Sequence, residues 1–221
     1  ALLDYGKLLS VDPKNARAYN DRGVIRQNLH DLDGALADYN ASIQRDANDA
    51  TAWFNRGNAR EELGDIDGAL KDYTKAIALN PSHADAYVNR GNLRRDKGDV
   101  ENALEDYEQA IRLDTRDALA YFNRGLMRGE WGDPGGAVRD YTEALRLDPG
   151  FAEAYTNRGS QRYDLGDSRG ALSDWSEALR LNPADHVALH MRAEARIEFK
   201  DVEGAAEDYL RALEVAPADW D

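Results

Sequence analysis

The sequence predicts an all-α solenoid, and three observations predict it. Asn55-Arg56-Gly57 returns as Asn89-Arg90-Gly91, Asn123-Arg124-Gly125 and Asn157-Arg158-Gly159, each 34 residues after the last. Within each such unit, two segments of helical periodicity flank a Gly-Asp step, at Gly64-Asp65, Gly98-Asp99, Gly132-Asp133 and Gly166-Asp167. An alanine, an aromatic and a small residue then recur at fixed offsets in the second segment. A unit this short cannot bury its apolar face alone, so neighbours stack and the array offers an extended surface rather than one catalytic cleft.

Taken in order, residues 1–15 match the second half of a preceding unit, with Asp4-Tyr5 standing where Asp38-Tyr39 stands later. Six full units follow, at 16–49, 50–83, 84–117, 118–151, 152–185 and 186–219, and residues 220–221 begin a further repeat or a tail. Both ends lack the extra solvating helix that would cover an apolar terminal face, so the natural protein is expected to extend beyond them. The turn glycine suits the left-handed residue that ends a first helix. The aspartate after it suits the N-cap of the second. Pro134, directly after Asp133, falls in the first turn, where a missing N–H costs little. His30 and Lys200 replace the glycine in the first and last units, so those turns should be less comfortable.

The second helix carries Ala35, Ala69, Ala103, Ala137, Ala171 and Ala205, identical in all units. Four residues later stand Tyr39, Tyr73, Tyr107, Tyr141, Trp175 and Tyr209, and three further on Ser42, Ala76, Ala110, Ala144, Ala178 and Ala212. Small residues on one stripe let helix axes approach, and the ring beside them fills the groove between neighbours. Pro81, Pro149, Pro183 and Pro217 end most second helices.

This pattern resembles the tetratricopeptide repeat family over essentially the whole chain. The resemblance implies antiparallel helix pairs in a right-handed superhelix, with the first helices lining a concave groove. It also implies protein or peptide binding, without catalytic activity or a cofactor.

Composition agrees with such a role. The 221 residues are 42% hydrophobic, enough for a packed interior, and their net charge of −14 argues against nucleic acid as a main partner. No apolar run approaches the ~18 residues a spanning helix needs, and no signal-peptide pattern is present, so no membrane insertion and a cytoplasmic setting are expected. The absence of cysteine excludes disulfides and thiolate zinc sites and leaves the redox compartment open.

Two ladders depart from the family's usual residues. Arg22, Arg56, Arg90, Arg124, Arg158 and Arg192 stand where Leu is typical, and a second arginine follows each one turn later. On the second helix Asp38, Asp72, Asp106, Asp140, Asp174 and Asp208 precede the aromatic. Matching signs at coincident periods point to ion pairs inside the stack, Arg56, Arg90, Arg124 and Arg158 with Asp72, Asp106 and Asp140 among them, rather than to a basic binding surface.

The groove positions implied by the resemblance hold Asn55, Asn89, Asn123 and Asn157, aligned as an asparagine ladder. A carboxamide can bracket a peptide group without reading its side chain. One residue earlier, Phe54, Val88 and Phe122 are expected to form an exposed apolar stripe, extended by Leu126, the alternative being that these side chains fold down against the next helix. Glu62, Asp96 and Glu130 make the rim acidic, which favours a partner carrying Lys or Arg. His186, His190 and Glu194 share one helix face at metal-ligand spacing, a weak signal, and no metal is assigned. No phosphate loop or nucleophile–base arrangement is present.

The sequence therefore describes a non-enzymatic scaffold that holds an extended or helical segment of a partner in its groove. The alternatives are a substrate-recruiting or regulatory arm of a larger enzyme, distinguished by its flanking sequence, and a scaffold that self-associates through uncapped ends.

Overall fold

The structure, a computed structural model, describes residues 1–216. Pro217 and the expected start of another helix at Asp219-Trp220-Asp221 lie outside the described residues. The chain divides into two compact units, Ala1–Asp114 and Thr115–Asp221. The first holds α1 (Leu2–Val11), α2 (Ala16–Asn28), α3 (Leu32–Arg45), α4 (Ala50–Glu62), α5 (Ile66–Leu79), α6 (Ala84–Asp96) and α7 (Val100–Leu113). The second holds α8 (Ala118–Glu130), α9 (Pro134–Leu147), α10 (Ala152–Asp164), α11 (Ser168–Leu181), α12 (His186–Glu198) and α13 (Val202–Val215). The described residues form no strand. Each even-numbered helix packs most extensively on the helix after it, and each such hairpin leans on the next within its unit.

Local chemistry closes each hairpin. In the second repeat Gly64 takes φ +78°, and the N–H groups of Gly64 and Asp65 reach back to the carbonyls of Glu61 and Arg60 at 2.9 and 2.8 Å. These two bonds satisfy carbonyls that the helix end leaves open. His30 and Lys200 adopt the same conformation at φ +59° and +63°, so a side chain sits in left-handed backbone there. Asp65 then caps α5, accepting from Gly68 N–H at 3.0 Å. A Cβ on Gly68 would stand 2.1 Å from that carboxylate, which explains why a glycine follows the cap.

Asp99 departs from the expected capping. Asn102 replaces the glycine, and its amide donates to both Asp99 oxygens at 2.8 and 3.0 Å, so no side-chain cap bond forms on α7. Several first helices are capped as well, by Asn15, Asp49, Asp117 and Asp185.

The alanine–aromatic–small stripe is the core. Ala69, Tyr73 and Ala76 are fully buried, and the Tyr73 ring lies directly on Gly57, where a Cβ would stand 2.6 Å from Cε1. The Trp175 ring covers Gly159 in the same way. The last repeat carries Ala193 at this position, and its aromatic Tyr209 is only half-buried, turned towards His190. The glycine of Asn-Arg-Gly is thus the seat of the neighbouring ring. Ser42, alone among the small residues of the stripe in having a hydroxyl, is fully buried, and its Oγ has no partner among the described residues.

Candidate functional site

The arginine and aspartate ladders meet inside each hairpin. Arg56 places Nε 2.8 Å from Asp72 Oδ2 and Nη2 2.7 Å from Oδ1, and Arg60 Nη1 adds a third bond to Oδ2 at 2.8 Å. The same three-residue knot joins Arg90 and Arg94 to Asp106, Arg124 and Arg128 to Asp140, and Arg158 and Arg162 to Asp174. Asp38 and Asp208 are held alike, by Arg22 with Arg26 and by Arg192 with Arg196. All six aspartates are buried. The Arg56 guanidinium also lies 4.6 Å over the Trp53 ring, and its Nη1 donates to Asn40 on the preceding hairpin at 2.7 Å. These arginines are engaged in binding one helix to another.

The outer row of the first helices carries the asparagines. In the first unit Asn55 Nδ2 donates to Asn20 Oδ1, and Asn89 Nδ2 to Asn58 Oδ1, both at 3.0 Å. Beneath them the Tyr73 hydroxyl faces Asn58 Oδ1 at 2.8 Å and Glu61 Oε2 at 2.5 Å. Tyr39 donates to Gln27 at 2.8 Å, and Gln27 in turn to the exposed Glu62. Tyr107 donates to Asn92 at 2.7 Å. Burial first, then the nearby carboxylates, push the Tyr39 and Tyr73 phenols well above their ordinary pKa, so both are donors at neutral pH. Asp96 is exposed, with Arg95 Nη2 3.0 Å from it.

In the second unit Asn123 is buried, and Asn157 turns back to donate to its own helix at Glu153 O, 2.8 Å away. Glu130 is exposed. His190 Nε2 lies 3.5 Å from Glu194 Oε1.

The expected apolar stripe is corrected by the structure. Val88 and Phe122 are 4% and 6% exposed and belong to the core. Phe54 is half-buried, its ring 5.8 Å from Tyr73 and 4.4 Å from His83, and Leu126 packs partly buried beside Phe122. The reason is geometric. The position one residue before the asparagine lies on the flank of the first helix that meets the second-helix ring of its own hairpin, as Phe122 meets Tyr141 at 5.7 Å. The residues missed from sequence are Asn58, which accepts from Asn89, and Asn92 and Gln27, which accept from the Tyr107 and Tyr39 hydroxyls. Asn58 and Asn92 stand 34 residues apart, so the period itself was the signal.

Hairpins of constant length, a ring seated on a glycine and paired ladders define a class of protein, the helix-pair repeat scaffold for protein interaction. Tetratricopeptide repeat models match residues 22–84, 54–118, 88–128 and 156–220, and another matches 118–151. The chain belongs to the tetratricopeptide repeat family. Among solved structures it is similar to YrrB, described as a TPR protein with an unusual peptide-binding site, at 23% identity and TM-score 0.74 over 86% of this chain and 98% of that one. Pseudomonas aeruginosa pilF superposes with TM-score 0.82 at 18% identity, covering 94% of each chain. MamA does so with TM-score 0.69 at 22% identity, over 78% of this chain and 95% of that one. These likenesses establish the fold. No curated protein matches the chain. No described helix is long and apolar enough to cross a membrane.

Proposed function

We propose that the outer row of the first helices binds an extended peptide segment of a partner protein, with Asn55 and Asn89 gripping its backbone. One observation supports this reading above the rest. Each of these asparagines gives one amide N–H to a neighbouring carboxamide, while its own carbonyl accepts no bond from the described residues. The ladder is therefore pre-oriented by its neighbours, the Asn89 amide also reaching the Tyr73 hydroxyl, and each carbonyl is left as an acceptor for a peptide N–H.

The acidic rim of Glu62 and Asp96, on a chain of net charge −14, favours a segment bearing Lys or Arg. In the second unit, taken by itself, Asn157 and Glu130 are the corresponding groove residues in this reading, while Asn123 is buried. Phe54 supplies apolar contact at the edge of the row.

The test is fluorescence anisotropy with a panel of short labelled peptides containing Lys or Arg. The Asn55→Ala, Asn89→Ala variant is expected to bind about tenfold more weakly, the loss of two backbone hydrogen bonds, with its helical content unchanged. Replacing Glu62 and Asp96 by their amides should slow association and flatten its salt dependence. Undiminished capture by the asparagine double variant would refute the reading.

A further inference from the structure

In five of the six repeats the residue just before the hairpin turn is large and apolar: Leu29, Leu63, Trp131, Leu165 and Phe199. All five are exposed. Leu63 keeps 47% of its surface in solvent and Leu165 54%, although a complete hairpin packs on each side of both within their units. Stacking therefore leaves this position open in the interior of the array. Trp131 is more open still, at 64%.

Folding does not require an apolar side chain there. In the third repeat the residue is Lys97, at φ −87° and ψ −2°, against −85° and −3° for Leu63. Lys97 is exposed and reaches Asp67 at 2.7 Å. A scattered exposed leucine needs no explanation. Apolar residues that return at one position, where the backbone accepts lysine, form a surface row of the kind that marks an interaction site.

In the second unit, taken by itself, Trp131 and Leu165 stand side by side. Gln161 of α10 lies against Gly129 of α8, where a Cβ would meet its side chain at 3.2 Å. Trp131 and Leu165 follow these two residues within about one turn, so they share one edge of helices packed about 10 Å apart. On a partner α-helix, residues seven apart rise about 10.5 Å and share a face. In an extended strand the same span is about three residues, whose side chains point to opposite faces. The spacing selects a helix. Glu130 and Asp164 stand directly before the two apolar residues, both exposed, and neither makes an ion pair among the described residues. These carboxylates favour Lys or Arg on that helix and disfavour an anionic lipid surface. A second copy of the chain, at net charge −14, is opposed by self-repulsion.

We propose that the Trp131–Leu165 edge of the second unit docks an amphipathic α-helix of a partner protein, with apolar residues seven apart and Lys or Arg one turn beyond each. Trp131 and Leu165 cover the two apolar side chains, and Glu130 and Asp164 take the cations. The site goes beyond the asparagine row, and Asn55 and Asn89 take no part in it.

The probe is a labelled, lactam-bridged helical peptide of alanine and glutamine with two leucines seven apart and a lysine one turn after each. It is titrated into the 221-residue chain and followed by anisotropy. Saturable binding is expected, weakened about tenfold or more in the Trp131→Ser, Leu165→Ser variant, which loses both apolar contacts. Both residues are exposed, so that variant should keep the circular dichroism and Tm of the parent chain. Moving the second leucine two places along, to the opposite face of the peptide, should abolish binding. A peptide with glutamate for lysine should fail on the parent chain and recover on the Glu130→Lys, Asp164→Lys variant. The Asn55→Ala, Asn89→Ala variant should bind the probe as the parent does.

Absence of saturable binding, equal affinity for the Trp131→Ser, Leu165→Ser variant, or loss in the asparagine variant would each overturn the assignment. Dimerisation, or binding to phosphatidylserine vesicles, that the two serine substitutions abolish would overturn it too, by giving the edge to a second copy or to a membrane.

Discussion

Arg56 meets Asp72 as a two-pronged fork, with N–O distances of 2.8 and 2.7 Å, at a carboxylate that Arg60 closes from the other side. A carboxylate taken this far from water loses its hydration and needs its donors in place. Removing one partner leaves a buried charge without compensation. Asp72→Ala and Arg56→Ala are each expected to cost about 3–5 kcal/mol, and the double variant much less than their sum. Urea denaturation followed by circular dichroism measures all three. Additive small losses would mean that water solvates the pair.

Ser42 carries the one hydroxyl on a stripe otherwise made of alanines. Its Oγ is buried and finds no partner among the described residues, and such a group costs roughly 1–3 kcal/mol to desolvate. Ser42→Ala removes that cost and creates no large void. The variant is expected to be more stable by about 1 kcal/mol, seen as a higher urea midpoint with an unchanged slope. A lower midpoint would show that the hydroxyl does find a partner.

His30 and Lys200 occupy left-handed backbone that the other turns give to glycine. The conformation costs a residue with a side chain about 1–2 kcal/mol, partly offset because glycine has more freedom to lose on folding. His30→Gly and Lys200→Gly should each stabilise by about 0.5–1 kcal/mol. Thermal unfolding of the single and double variants tests this, and a fall in Tm for either would contradict it.

Tyr39, Tyr73 and Tyr141 have phenols pushed upward chiefly by burial, with Glu62, Glu61 and Glu130 adding to the shift at the three sites. The unfolded chain ionises its tyrosines near pH 10, whereas the folded chain holds these three protons. The unfolded state thus binds fewer protons above that pH, and stability falls as pH rises. The contribution of these rings is fully present below about pH 10 and is lost above it. Absorbance at 295 nm should therefore show the buried tyrosines titrating together with loss of helical circular dichroism. Complete ionisation with the helices intact would show that the rings are open to solvent.

Repetition made most of the fold legible. Periods that coincide on two helices place Arg56 and Asp72 opposite each other, because the hairpin has a constant length. The turn glycines and their capping aspartates followed from backbone chemistry that acts within a few residues. Asp99 was the exception, since one substitution at Asn102 gave it a closer donor than the backbone. Nothing in a count of periods distinguishes a cap from a side-chain pair.

By itself the sequence determined an all-α array of hairpins, the alanine–aromatic–small stripe of the second helix and the charge pairing, because each depends on local spacing repeated without change. The tertiary structure alone decided which neighbouring positions reach solvent. Asn55 and Phe54 are adjacent on one helix, yet one joins the ladder and the other leans on Tyr73 and His83. Rotation about a helix axis by a single residue separates outer row from core, and that rotation is set by packing against the next hairpin, which the sequence of one helix does not contain.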